Sequence, residues 1–123
     1  MRNSKSTKSI GSHYEQLALS YLKRQGLTSV AQNFICKSGE LDLIMLDNHV
    51  YVFVEVKYRK NQHHGHAAEA ITPTKQKRLI KAATIWILKH GHSYYDTEFR
   101  FDVIAIHEEG DNIEWFKNAI TQD

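Results

Sequence analysis

Val50-Tyr51-Val52-Phe53-Val54-Glu55-Val56-Lys57 sets four valines in strict alternation with Tyr51, Phe53, Glu55 and Lys57. A two-residue period rich in β-branched residues predicts a strand, with alternate side chains on opposite faces. Leu41 to Leu46 predicts a partner strand just upstream, and Asp47 and Asn48 suit a tight turn joining the two. Downstream, Arg59 to Ile71 is a loop rich in His, Gly, Asn and Gln. Thr72 then offers an N-cap and Pro73 a first helical position, opening a helix that runs to about His90 and ends at Gly91.

The outer elements follow by the same rules. Tyr14, Leu17, Ala18, Tyr21 and Leu22 recur at helical spacing, so about Ile10 to Gln25 reads as a helix closed by Gly26. Ala31 to Cys36 is a short first strand, Phe99 to Ile106 a later one, and Ile113 to Ala119 a short strand or terminal turn. A hairpin plus a crossover helix implies an α/β fold: a mixed sheet flanked by helices, in the order α-β-β-β-α-β with a last short strand possible.

The 123 residues fit one domain, taken as residues 10–123 behind a flexible basic tail at residues 1–9. No apolar run reaches the roughly 18–20 residues that span a bilayer, so no membrane association is expected. The polar, basic start is not a secretory signal. A single cysteine, Cys36, excludes an internal disulfide and a cysteine-rich zinc site, and the cytoplasm is the expected location. Net charge is only +2, but eight of the 16 Lys and Arg residues lie between Lys57 and Lys89 with one acid, Glu69. That asymmetry predicts an electropositive surface suited to phosphates.

Glu55 and Lys57 are two apart and share a face. A hairpin with Asp47 and Asn48 at its tip sets Asp42 opposite Phe53 and diagonal to Glu55; a shift of two residues sets Asp42 directly opposite Glu55. In either register two carboxylates and an ammonium converge on one patch. Charges at the end of an apolar strand are costly unless paired, hydrated or metal-bound. One reading is a simple ion pair from Lys57 to Glu55 or Asp42. The other is a site for Mg²⁺ or Mn²⁺, which hard oxygen ligands favour over zinc. Such an ion would activate water and neutralise charge on a phosphoryl group. Glu40 shares the Asp42 face and is an alternative or supporting ligand.

Gly39-Glu40-Leu41-Asp42-Leu43-Ile44, Val52-Phe53-Val54-Glu55-Val56-Lys57-Tyr58-Arg59, Lys75 in a basic helix and Arg100-Phe101-Asp102-Val103 together resemble the YraN-type bacterial family. That family is grouped with the PD-(D/E)xK restriction-endonuclease-like superfamily, near the Holliday-junction resolvases. The likeness runs from about Gly11 to Ile106, and Leu41 stands where the superfamily motif has proline. The resemblance implies a restriction-endonuclease-like fold and a Mg²⁺-dependent endonuclease acting on DNA, with branched or damaged DNA as candidate substrates. It implies that Asp42, Glu55 and the Val56 carbonyl hold the metal and that Lys57 is the catalytic lysine. Glu15 looks like an additional catalytic acid carried on the first helix; its other reading is a capping box with Ser12.

On the second helix Leu79, Ile80, Ala83, Trp86 and Ile87 share one side, while Lys77, Arg78, Lys81 and Lys89 spread over the other and Lys75 lies between. Lys75, Lys77, Arg78 and Lys81, with Arg59, are the candidate DNA-phosphate contacts. Gln76 lies on the apolar side of the first turn, near the Glu55 end. It serves either a water or phosphate in the site or a backbone group. His63, His64 and His66 lack a fourth zinc ligand at suitable spacing and read as loop residues. Asp102 pairs structurally with Arg100, and Trp86 and Trp115 belong to the core. Two other functions fit the same residues: a DNA-binding module without cleavage, and a protein-interaction domain whose partner meets the basic helix. A homodimer is expected only by analogy with resolvases that cut two strands symmetrically.

Overall fold

The computed structural model describes residues 7–59, 71–107 and 112–120, with side chains from residue 12. The order is α1 (Thr7–Arg24), β1 (Thr28–Cys36), β2 (Gly39–Asp47), β3 (Val50–Arg59), α2 (Pro73–Lys89), β4 (Phe99–His107) and β5 (Asn112–Phe116). The strands form one mixed sheet in the order β1-β2-β3-β4-β5. Only β3 and β4 are parallel, as the α2 crossover requires. This is the arrangement expected from the sequence. Among the described residues no helix is long and apolar enough to cross a membrane.

Each helix covers one face. Ala18 and Leu22 of α1 pack on Leu43, Met45, Val52, Val54, Ile104 and Ile106. Leu79, Ala83, Trp86 and Ile87 of α2 pack on Leu41, Ile44, Phe53, Phe101 and Val103. Both faces of β3 are therefore buried, which explains its unbroken apolar run. The helix ends are capped by sequence. The Thr72 hydroxyl accepts the Lys75 N–H at 3.1 Å. At the end of α1, Gly26 takes φ +102, its N–H donates to the Lys23 carbonyl, and Leu27 N–H reaches back to the Leu22 carbonyl. Leu22 and Leu27 are both buried beneath this turn.

Several boundaries differ from the sequence reading. α1 begins at Thr7, so Thr7–Ser9 belong to the helix rather than the tail; nothing from Thr7 to Ile10 is a helix breaker. Ser12 therefore lies inside the helix, and the Ser12–Glu15 capping box does not exist. β1 begins at Thr28 instead of Ala31, its alternation concealed by a register slip between Ser29 and Ala31. The β2–β3 turn is Asn48-His49, with Asp47 paired to Val50. Asn48 takes the left-handed φ of +58 that asparagine tolerates, and Asp47 stays in the strand to accept from Arg100 at 3.1 Å. The hairpin thus adopts the register shifted by two residues. His63, His64 and His66 lie outside the described residues.

Candidate metal centre

The β2–β3 ladder runs from Asp47↔Val50 to Leu43↔Val54 and stops there. One further step would set Asp42 opposite Glu55. Instead β2 turns at this point: Leu41 packs on the α2 side and Leu43 on the α1 side, although both are odd-numbered. The Asp42 carboxylate enters the opening and accepts the Val56 N–H at 2.9 Å. Since N–H and C=O of one strand residue point the same way, the Val56 carbonyl faces the same opening. Asp42 and Glu55 are only 9% and 6% exposed, so these are two buried acids side by side.

Their electrostatics follow from that burial. Desolvation, then the Glu55 charge, push the Asp42 carboxyl up to about 8; the Val56 hydrogen bond opposes them, and Glu15 and a hydrogen bond with the Glu55 carboxyl add to them. At neutral pH the pair accordingly retains a proton. Glu15 joins from α1. Its carboxyl is also raised, chiefly by burial, with a hydrogen bond to Asn33 opposing and the Glu40 and Glu55 charges reinforcing. Tyr14 holds this turn of α1 in place by stacking on Tyr58 of β3, with ring centroids 4.2 Å apart. Four carboxyls from α1, β2 and β3 thus act on one another.

The balancing charge comes from α2. Lys75 Nζ lies 3.1 Å from Glu55 Oε2, so Lys75 reaches the acidic pair rather than only the outer surface. Sequence reasoning placed Lys75 among the phosphate contacts and missed this pair, since helix periodicity put it merely near the boundary of the basic face. Lys57, two residues beyond Glu55, is half-buried and in register with Ala105 of β4. Gln76 donates from Nε2 to the Ile71 carbonyl at 3.0 Å, satisfying a backbone group.

Two buried carboxyls whose charges oppose each other, so that one keeps its proton, with a carbonyl beside them, fit a hard divalent cation that would take the place of that proton. Among the described residues no three acidic, histidine or cysteine side chains form a ready-made metal cage. Asp42, Glu55 and the Val56 carbonyl could hold a hard cation of the Mg²⁺ or Mn²⁺ kind, which commonly takes only one or two carboxylates and keeps several waters.

Lys75 also lines a cleft of about 270 Å³ together with Cys36, Gly39, Glu40, Arg78 and Leu79, of which Asp42 and Glu55 are not part. Gly39 forms its edge at φ +154, where an added Cβ would sit 3.4 Å from the Arg78 Cβ. Lys77, Arg78 and Lys81 are exposed, and Arg59 is half-buried at the end of β3. Asp102 lies apart from this chemistry. It is fully buried and takes a forked pair from Arg100 Nε at 3.0 and 3.2 Å, the Trp115 indole N–H at 2.9 Å and the Asn118 N–H at 2.8 Å. This is the structural Arg100–Asp102 pair expected from the sequence, extended to β5.

The sequence pattern of the family described as uncharacterised protein family UPF0102 matches residues 14–106. A UPF0102 protein of Vibrio cholerae (strain M66-2) is 59% identical over 112 residues, covering 91% of this chain and 92% of its own. One from Vibrio vulnificus (strain YJ016) is 52% identical over 117 residues, covering 95% and 96%. One from Aliivibrio salmonicida (strain LFI1238) is 49% identical over 112 residues, covering 91% of each.

Proposed function

The chain belongs to the UPF0102 family, and from that premise we propose that it is a Mg²⁺- or Mn²⁺-dependent endonuclease that hydrolyses phosphodiester bonds in DNA. The buried Asp42–Glu55 pair carries this reading. Uncompensated buried acids are destabilising, and a structural role does not require two of them to meet. Perturbed acids in a cleft mark functional sites.

In this reading Asp42, Glu55 and the Val56 carbonyl hold the metal, which when bound supplies Lewis acidity and a more acidic water. Lys57 orients the attacking water or stabilises the charge on the phosphorane. Glu15 is a further acid overlooking the pair. Hydrolysis forms one P–O bond from water and breaks one ester P–O bond, with the water proton passing to solvent or the leaving oxygen. Lys77, Arg78, Lys81 and Arg59 lie along the phosphate backbone and position DNA without reading its sequence. The activity belongs in the cytoplasm, and symmetrical cutting of two strands would use a dimer.

The test is metal-dependent cleavage over a panel of single-stranded, duplex, flapped and four-way DNA. Cleavage that needs Mg²⁺ or Mn²⁺ and stops with EDTA is expected. One observation favours a second reading: Lys75 forms an ion pair with Glu55, so a protein side chain can balance that acid. A DNA-binding module that does not cleave would bind the same panel and leave every strand intact.

A further inference from the structure

Sequence and structure give Lys75 two different partners. Its place on the basic helix makes it a phosphate contact, one turn before Arg78, whose side chain is exposed and whose Cβ borders Gly39 at the start of β2. In the folded chain the Lys75 ammonium stands 3.1 Å from Glu55 Oε2 instead. The two ends of this pair differ in their surroundings: the Glu55 side chain is 7% exposed and the Lys75 side chain 43%. Among the described residues Lys57 makes no ion pair with Glu55 or Asp42, although it shares the Glu55 face. Lys75, not Lys57, is therefore the cation set against the acidic pair.

The backbone beneath Lys75 is fixed. Thr72 Oγ1 accepts the Lys75 N–H at 3.1 Å, and the Thr72 carbonyl accepts the Gln76 N–H at 2.9 Å. The Gln76 side chain is tied to the Ile71 carbonyl. Only the lysine stem is left to move, a flexible chain of four carbons that carries three donors. Being partly exposed, it leaves Glu55 for solvent without disturbing the cap.

We infer that the Lys75 ammonium has two seats, Glu55 in the free protein and a DNA phosphate in the complex, so that DNA and a divalent cation bind with positive coupling. The inference rests on the nuclease reading and adds to it how the site is armed. A cation that arrives alone must displace the ammonium from Glu55. A phosphate that arrives alone draws the ammonium away and leaves a buried acid unpaired, which is costly. Each arrival removes the cost of the other. With both bound, Glu55 faces the cation and Lys75 faces the phosphate, and no charge lacks a partner. By linkage, the factor by which DNA raises the affinity for the cation equals the factor by which the cation raises the affinity for DNA.

The experiment compares the full chain with Lys75→Met. Mn²⁺ binding without DNA is read from the electron paramagnetic resonance signal of the free ion. DNA binding is read from the fluorescence anisotropy of one labelled duplex, in EDTA and in Ca²⁺ at a concentration that displaces the bound Mn²⁺. Lys75→Met is expected to bind Mn²⁺ roughly fivefold tighter, the weight of one partly exposed ion pair. In EDTA its affinity for DNA is expected to equal that of the wild type, whose lysine gives up Glu55 for the phosphate it gains. In Ca²⁺ the variant is expected to bind DNA roughly fivefold more weakly, because the wild-type lysine is then free for the phosphate. Equal losses in EDTA and in Ca²⁺ would make Lys75 a fixed phosphate contact and overturn the inference. Unchanged Mn²⁺ affinity, or no loss of DNA affinity in either condition, overturns it as well. If Mg²⁺-dependent cleavage persists in those cases, the nuclease reading stands without the exchange; if the wild type binds neither Mn²⁺ nor DNA, both fall together. Should circular dichroism show Lys75→Met unfolded, Lys75→Gln takes its place with the same expectations.

Discussion

Lys75 Nζ and Glu55 Oε2 are 3.1 Å apart, so an ammonium from the first turn of α2 stands against the carboxylate that a divalent cation would also seek. A bound cation would have to compete with this tether for one acid. Lys75 is 43% exposed on its side chain, which limits the pair to about 1 kcal/mol once solvent screening is allowed for. Lys75→Met is therefore expected to lower the melting temperature of the metal-free protein by a few degrees. Added Mn²⁺ should stabilise the variant more than the wild type, because the ammonium no longer has to be displaced. Differential scanning fluorimetry with and without Mn²⁺ checks both parts; equal stabilisation of the two proteins would show that ammonium and metal do not compete.

Removing either acid should separate binding from chemistry. Asp42→Asn and Glu55→Gln keep the size of each side chain and remove the charge that would hold the ion. Cleavage is expected to fall by at least about a hundredfold, the loss of several kcal/mol of transition-state stabilisation. Affinity for DNA should change little, since the proposed phosphate contacts are on α2 and at Arg59, not on the two acids. Single-turnover cleavage and anisotropy on the same preparations give the two numbers. Undiminished cleavage by either variant would eliminate the site.

The raised Asp42 carboxyl has a consequence for stability. In the folded chain it titrates near 8, against 3.8 as its ordinary value. Between those pH values the folded state holds a proton that the unfolded chain has released. The stability this confers is complete below pH 3.8 and is lost as pH rises through 8. Asn at position 42 stays neutral and can still accept the Val56 N–H. Asp42→Asn should therefore come nearest the wild type below about pH 4 and exceed it increasingly as pH rises, by on the order of a few kcal/mol more near pH 8.5 than near pH 5. Urea unfolding at the two pH values checks this; a variant less stable than wild type at pH 8.5 would contradict the assigned cause.

How far the sequence foretold this site depends on the range of each interaction. The Val50–Lys57 alternation and the Thr72-Pro73 cap are local signals, and both elements lie where they indicate. Asp42 and Glu55 come near each other despite a different turn, because either register brings these positions to the same end of the hairpin; the ladder itself ends at Leu43↔Val54. The turn of β2 at Asp42, which puts Leu41 and Leu43 on opposite faces, leaves no periodic signature. Lys75 reaching Glu55 and Glu15 reaching the acids depend on how helices pack on the sheet, which residue spacing within a helix does not encode. Glu15 had a persuasive local explanation in Ser12, and only the earlier start of α1 removes it.

Asp102 should behave as a structural residue. It is fully buried and accepts from Arg100, Trp115 and the Asn118 backbone. Burial works against the Arg100 charge, but hydrogen bonds and charge from Asp102 and Asp47 outweigh it and raise the guanidinium further. Asp102→Ala leaves that guanidinium half-paired beside the core, a loss of about 3–5 kcal/mol. Urea unfolding followed by tryptophan fluorescence should show it, with β5 loosening around Trp115. Where the variant remains folded, its DNA affinity should equal that of wild type; a selective loss of affinity would move Asp102 into the binding surface.

The exposed cations of α2 separate a nucleic-acid function from a protein-binding one. Lys77 and Lys81 lie one turn apart on one side of the helix and are exposed, away from Leu79, Ala83 and Trp86 in the core. Two such ammonium groups can follow a phosphate backbone, and each contact releases condensed counterions. The slope of log K against log salt then changes by about 0.9 per duplex phosphate. Replacing Lys77 and Lys81 together by Ala should weaken binding to unrelated DNA sequences alike and flatten the slope by up to about two units. Folding should persist, because neither side chain reaches the sheet, and circular dichroism serves as the control. A sequence-selective loss would instead assign these lysines to base edges. A folded double variant with unchanged affinity and slope would show that this face does not hold DNA, and the basic helix would then belong to a protein partner.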